Sequence, residues 1–335
     1  MDGGNFDLKE EIRDYWSKRS ETFDLAFGHK IAAGPEANAW QKPIRDLVGT
    51  EPKRILELAC GTGEVTRLIH DLGHDVTALD FSEAMLSVAR AKHAGKPRLR
   101  FIMADAENTM EPDQSYDAII CRHLVWTLTE PEATFREWFR LLRPGGSLLF
   151  FDGDWATPKP AGRVASLLIR LIDRLVGPDR NYDGAQSSHH AAIMKALPFG
   201  QGLRPEMLTP LLIAAGFTAI ELHSHDPIAR AQRKNTNLRN RLRTFVYRRF
   251  ILTCRRRLTR SSVLYYGPSR ILVAIPGQEP YCERTKHHAV QRLCISQPFA
   301  SAPDDFQLHE KFSGSGHQCA ALKGWKITKQ HQCQP

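Results

Sequence analysis

Apolar and polar positions follow two rhythms along this chain, and the switch between them predicts its elements. Residues 8 to 48 keep a helical period. "LKEEIRDYWSKRSETFDLAFG" leads into "EANAWQKPIRDLVG", where Ala39, Trp40, Ile44 and Leu47 recur at helical spacing. From residue 54 short apolar runs alternate with helical stretches. "RILEL" (54–58) predicts a strand and "EVTRLIHDLG" a helix closed by glycine. "DVTALD" (75–80) predicts a second strand and "SEAMLSVARAKHAG" its helix, with Ser82 and Glu83 as the start and Gly95 as the stop. "LRFIMAD" (99–105) and "YDAIICR" (116–122) predict strands three and four. "PEATFREWFRLLRPGG" predicts a helix ending on a Pro-Gly-Gly turn, and "SLLFFDGD" (147–154) a fifth strand.

Strands alternating with helices of about 10 to 15 residues predict βαβ units, a parallel sheet and helices on both faces. After residue 154 the rhythm loosens. "GRVASLLIRLIDRLVG" predicts an amphipathic helix, "PDRNYDGAQSSHH" a polar loop and "PEMLTPLLIAAGF" a helix. "TAIELHSH" predicts a sixth strand and "RILVAIP" (270–276) a seventh. The expected fold is α/β: a Rossmann-like, doubly wound, seven-stranded sheet with the last strand antiparallel. The expected organisation is an N-terminal helical lid (1–50), a main domain (51–276) and a poorly ordered tail (277–335). Within the main domain, 155–204 is read as a substrate-pocket insertion and 224–269 as a basic excursion.

Composition narrows the class. With 335 residues, 42% hydrophobic and 25% charged, the chain has the makeup of a globular protein. Its net charge of +9 is local: residues 228–260 carry +12 with no acidic residue, which leaves −3 for the remainder. Leu238, Leu242, Phe245, Val246 and Phe250 recur at helical spacing inside that segment, so a basic amphipathic helix is expected there. Such a segment suits an anionic membrane surface or an acidic substrate, and nucleic acid less well, because no RNA-binding module accompanies it. A solvated arginine face over a packed apolar stripe is the plainer reading. Seven cysteines without a C-x-x-C spacing suit reduced thiols. No signal-peptide pattern opens the sequence and no run of about 18 apolar residues occurs, so the expected location is the cytoplasm. No metal site is expected, since His and Cys lack the paired spacing of zinc ligands.

The chemistry starts in "LELACGTGEVTRLI" (56–69), a strand, a glycine turn and a helix. Such a turn brings backbone N–H groups and a helix N-terminus to a ligand. The dinucleotide fingerprint fails, because its third glycine falls on Thr66, and a P-loop fails for want of Gly-Lys-Ser/Thr. An acidic residue followed by small-x-Gly-x-Gly (Glu57, Ala59, Cys60, Gly61, Gly63), then Asp80-Phe81, Asp105-Ala106 and "LLRPGGSLLF" at βαβ spacing, resembles the class I S-adenosylmethionine-dependent methyltransferases. The resemblance is to the type 11, ubiquinone/menaquinone methyltransferase-like branch, with Ala59 in place of the motif's first glycine.

That resemblance implies S-adenosyl-L-methionine as cofactor. It implies Glu57, Ala59, Cys60, Gly61 and Gly63 around it, Asp80 on the ribose hydroxyls beside Phe81, and Asp105 with Ala106 on the adenine. It also implies Arg122 at the methionine end, and "YWSKRSETFD" resembles the family's lid, with Phe23-Asp24 where many relatives have Tyr-Asp. Asp80 and Asp105 each also suit a plain helix-cap role. His123, just past the fourth strand, is the candidate base, needed only if the acceptor sheds a proton during attack. Trp126 is expected to line the acceptor pocket or pack beneath it. Asp152 and Asp154 are weighed as substrate contacts or caps, and Tyr182, His189 and His190 as specificity residues. The expected function is methyl transfer to a small, lipid-like or quinone-like acceptor. The alternatives are a nucleic-acid methyltransferase using 228–260 and a cofactor-binding subunit without turnover.

Overall fold

Four parallel strands lay down the centre of the sheet: β1 (Arg54–Leu58), β2 (Asp75–Asp80), β3 (Leu99–Met103) and β4 (Tyr116–Arg122). β5 (Leu142–Pro158) continues parallel to β4, and β6 (Phe217–Ser224) and β7 (Tyr247–Arg256) complete the order β3-β2-β1-β4-β5-β7-β6. β7 runs antiparallel to both β5 and β6. This computed structural model describes residues 3–179, 191–234 and 236–258, and the strands 263–265, 270–273, 281–284 and 291–292.

The helices follow the expected alternation. They are α1 (Gly3–Ser17), α2 (Pro35–Val48), α3 (Glu64–Asp71), α4 (Glu83–Lys92), α5 (Pro131–Leu141), α6 (Pro160–Val176) and α7 (Pro205–Ala214), then α8 (Asp226–Lys234) and α9 (Leu238–Val246). Ser82 caps α4, its side chain accepting from the Met85 amide at 3.2 Å. Successive strand residues point to opposite faces, so the sheet buries two cores. Leu56, Leu58, Ile119, Cys121, Phe150 and Leu252 pack with Trp138 of α5 and Leu208 of α7. Ile55, Ile120, Phe151 and Ile251 pack with Trp40 and Ile44 of α2 and Leu68 of α3. Trp40 and Trp138 are among the largest fully buried side chains; truncating either to Ala costs about 3–5 kcal/mol.

The strand expected at 270–276 is corrected. The antiparallel strand of the main sheet is β7, inside the basic segment, where Phe250 to Cys254 form a continuous buried run between two neighbours. The helical spacing holds only as far as Val246, where α9 ends. Between Asp226 and Arg256 the basic excursion is therefore two helices and a strand. The chain divides into two compact units, Met1–Arg257 and Leu258–Pro335. In the second unit, Arg270–Val273 joins Val263–Tyr265, Tyr281–Arg284 and Gln291–Arg292 in an antiparallel sheet. Of the segment 277–335, expected to be poorly ordered, only those last two strands belong to the described residues.

Strand order reverses between β1 and β4. In open α/β sheets ligands bind at the carboxyl edge of the strands beside such a reversal. Residues 59–63 and Arg122–His123 leave the sheet there.

Candidate functional site

The turn after β1 is built from alternate left-handed residues: Ala59 at φ 51°, Gly61 at 54° and Gly63 at 82°. Glycine takes that region freely, whereas an L side chain pays roughly 1–2 kcal/mol. Ala59 therefore occupies a glycine conformation at a cost, which explains how it can stand at the motif's first glycine. Gly63 has a second constraint, because a Cβ there would fall 2.7 Å from His93 Nε2.

Asp80 at the end of β2 holds this turn. Its carboxylate accepts from the Gly61 amide at 2.8 Å and from the Ser82 amide at 2.9 Å. Burial pushes the group above the usual carboxylate range, while the Ser82, Gly61 and Phe81 amides pull it back. A carboxylate has about four lone-pair sites, so capacity remains for a ligand on the side facing the cavity. Glu57 is buried and accepts from the Thr66 hydroxyl. Burial raises its pKa to about 8, against the Thr66 hydrogen bond and the nearby Arg122 charge.

The segment before α2 closes over the turn. Phe23 stacks on His29 with ring centroids 4.0 Å apart, and its ring lies against Gly61. Thr62 donates to Asp24 at 2.6 Å, and Lys92 bridges Asp24 (2.7 Å) and Glu64 (2.6 Å). Burial alone would raise Asp24, but Lys92 and Thr62 outweigh it and hold the carboxyl below its ordinary value. The aromatic-Asp pair thus fastens to the glycine turn through ionised contacts.

After β4 the backbone bends sharply at His123, a non-glycine residue at φ 58°. Its amide donates to the Phe151 carbonyl at 2.8 Å, and its ring meets Trp155 edge-on at 4.8 Å. Burial drives its pKa well below the histidine norm, and Arg122, His29, Arg249 and His225 add to the effect, so the imidazole is neutral at physiological pH. Arg122 donates to the His29 carbonyl at 2.9 Å and lies over the Trp40 ring. Arg249 of β7 donates to Gln232 at 3.1 Å.

One cleft of about 1110 Å³, part of it continuous with solvent, gathers these ends. Glu57, Ala59, Cys60, Gly61, Asp80, Phe81, Asp105, Ala106, Arg122 and His123 all line it; Gly63 does not, and instead caps α3. Trp16, from the expected lid segment, lines it, and so do Lys9, Ile12 and Arg13 of α1, a contribution sequence reasoning missed. Their spacing of three, four and seven was a legible signal, blurred by mixed residue types. Also missed were His29, Glu107, Thr127 and Thr129, which no pattern marked.

Other expected residues serve the frame. Trp126 is buried and meets Trp16 edge-on at 6.5 Å, outside the lining. Asp152 accepts from the Val125 and Gly153 amides and from Trp155 Nε1, and Asp154 from the Ala156 and Thr157 amides. Tyr182, His189 and His190 lie outside the described residues. Much of the basic segment is engaged internally: Arg239 with Asp173, Arg243 with Asp179, and Arg256 with the Phe139 and Leu142 carbonyls. Among the described residues no cluster of His, Cys, Asp and Glu is arranged to hold a metal ion.

A family model described as a methyltransferase domain matches residues 56–150. A demethylmenaquinone methyltransferase of Clavibacter sepedonicus is 38% identical over 178 residues, covering 50% of this chain and 67% of that protein. A ubiquinone/menaquinone biosynthesis C-methyltransferase of Vibrio parahaemolyticus is 32% identical, covering 40% of this chain and 54% of that protein. The chain thus spans between half and two thirds of these relatives. The fold is similar to a phosphoethanolamine N-methyltransferase of Haemonchus contortus solved with S-adenosyl-L-methionine. That likeness has a TM-score of 0.51 at 15% identity, and covers 73% of this chain and 60% of the other.

Proposed function

Because the chain belongs to the class I S-adenosylmethionine-dependent methyltransferases, we propose that it methylates a small quinone-like ring in its reduced, hydroxylated form. One observation carries the reading: His123 lines the same cleft as Asp80, Asp105 and the glycine turn, and burial there keeps its imidazole neutral.

The residues present fit the cofactor. Asp80 would take the ribose hydroxyls with its remaining lone pairs, Asp105 and Ala106 the adenine, and Glu57 with Arg122 the amino-acid end. Phe81, Trp16 and Phe23 supply apolar walls. When bound, the cofactor supplies a methyl group already activated on a sulfonium.

The chain's own work is then to place the acceptor and favour its ionised form. A phenol-like hydroxyl has a pKa of about 10, and its anion pushes electron density onto the neighbouring ring carbon. Burial does most to keep His123 neutral, and the positive field of Arg122 and Arg249, which adds to it, also favours that anion. His123 accepts the hydroxyl's hydrogen bond and orients the ring, and because burial keeps the imidazole weakly basic it relays the proton onward to solvent instead of holding it. Leu124, Thr127 and Thr129 line the cleft beyond it. The names of the similar relatives support a quinone-type acceptor and carbon as the methylated atom. Within the described residues Cys60, Cys121 and Cys254 are free thiols, which suits a cytoplasmic setting.

The test is turnover with S-adenosylmethionine and a naphthohydroquinone lacking its ring methyl, kept reduced. The reading predicts S-adenosylhomocysteine together with a ring-methylated product. Tight cofactor binding without product on reduced or oxidised quinone would overturn it in favour of a non-catalytic cofactor-binding subunit.

A further inference from the structure

Helix α6 turns its apolar side outward. Val164, Leu167, Leu168, Leu171 and Leu175 are 58%, 57%, 44%, 51% and 76% exposed. At 100° per residue they fall within one stripe, while Gly162 and Ala165 on the opposite side are buried. Gly162 fits so closely that a Cβ would fall 2.2 Å from the Val246 carbonyl oxygen of α9, which fixes the inner face against that helix. A helix made to fold onto its own domain would bury the leucines instead.

Charge says what the stripe meets. Arg163, Arg170 and Arg174 are exposed and lie along one flank of the stripe. The helix's one acidic residue, Asp173, is turned inward to Arg239 at 2.9 Å. The packed neighbour α9 adds the exposed Arg241, its Arg239 and Arg243 being paired with Asp173 and Asp179, and leaves Leu238 63% exposed. An isologous contact with a second copy requires a self-complementary patch, and this one offers cations without an anion to meet them. The helix's 17 residues span about 25 Å, and no described helix is long and apolar enough to cross a membrane. A helix with leucines on one side and arginines beside them suits the interface plane, its apolar face in the acyl boundary and its cations on anionic headgroups.

We propose that α6 is a membrane-docking helix that lays Val164, Leu167, Leu168, Leu171 and Leu175 into an anionic bilayer surface. This puts the lipid contact on α6, with only Leu238 and Arg241 of 228–260 beside it, and it does not depend on the identity of the methyl acceptor.

The full chain is sedimented with vesicles of phosphatidylcholine alone and with vesicles containing phosphatidylglycerol. Wild type should partition onto the anionic vesicles and be released by salt. Leu168→Gln with Leu171→Gln should lower that partition about tenfold or more, and Arg163→Gln with Arg170→Gln and Arg174→Gln should remove the preference for anionic lipid. Both variants alter exposed side chains, so melting temperature and S-adenosylhomocysteine binding should stay at wild-type values, separating this test from that of methyl transfer. Unchanged partition in the leucine variant overturns the proposal. So does a concentration-dependent dimer in lipid-free solution that the same leucine changes abolish, because the stripe would then belong to a second copy.

Discussion

Lys9 of α1 stands 2.8 Å from Asp105, the carboxylate two residues past β3 that lines the cleft. The same ammonium lies 3.4 Å from Glu107. Burial alone would lower the pKa of Lys9, but the hydrogen bond to Asp105 and the charges of both acids raise it. The amino-terminal helix is thereby tied to the proposed adenine end of the site.

A partly exposed ion pair of this kind contributes about 0.2–1 kcal/mol. Lys9→Met should therefore raise the opening of α1 by up to about fivefold while barely moving the global melting temperature. Hydrogen exchange of residues 7–17 measures it, and S-adenosylhomocysteine should restore the lost protection. Unchanged exchange would show that the apolar contacts of Ile12 and Trp16 alone hold the helix.

Glu57 gives a pH dependence with a definite sign. Its folded pKa of about 8 lies above the unfolded value, so between roughly pH 4.5 and 8 the unfolded chain has released a proton that the native chain keeps. Stability from this group is present at low pH and lost as pH rises through that window. Glu57→Gln removes the loss. Its stability relative to wild type should improve by up to about 1.4 kcal/mol per pH unit across the window, read from denaturant unfolding at several pH values.

His123→Asn should lower methyl transfer by about 10²- to 10⁴-fold, the usual worth of a positioned acid-base group, with cofactor affinity nearly unchanged. Arg249→Met acts through the imidazole. Removing that charge raises the His123 pKa toward the ordinary histidine value. The acid limb of the rate profile should then move to higher pH, because rate is lost as His123 becomes protonated. A limb that stays in place would remove Arg249 from the account.

Ala59→Gly relieves a left-handed alanine. Strain relief of roughly 1–2 kcal/mol is partly offset by glycine's entropy in the unfolded chain. The net gain should be up to about 1 kcal/mol, or about 2–4 °C in melting temperature.

The sequence made the centre of the fold legible because β1, β2, β4 and β5 carry buried apolar runs, and because Asp80 ends β2 and Asp105 follows β3 closely. It misled at Tyr247–Arg256, where arginines at both ends mask a buried core of Phe250 to Cys254. Periodicity cannot separate a short apolar strand from a helix when the preceding helix has its own stripe. His29 reaches the cleft through tertiary folding of the amino-terminal segment, and Arg249 joins the His123 environment only because β7 inserts between β5 and β6. Long-range pairings of this kind leave no local signature.

The central claim is that the turn 59–63, with Asp80 and Asp105, holds S-adenosylmethionine. Calorimetric titration with S-adenosylhomocysteine tests it most directly, with NAD as control and Asp80→Asn alongside. The account predicts selective binding that falls about 10- to 100-fold in the variant, the worth of one charged hydrogen-bond acceptor at about 1.5–3 kcal/mol. Absence of binding, or equal affinity in wild type and variant, would contradict it.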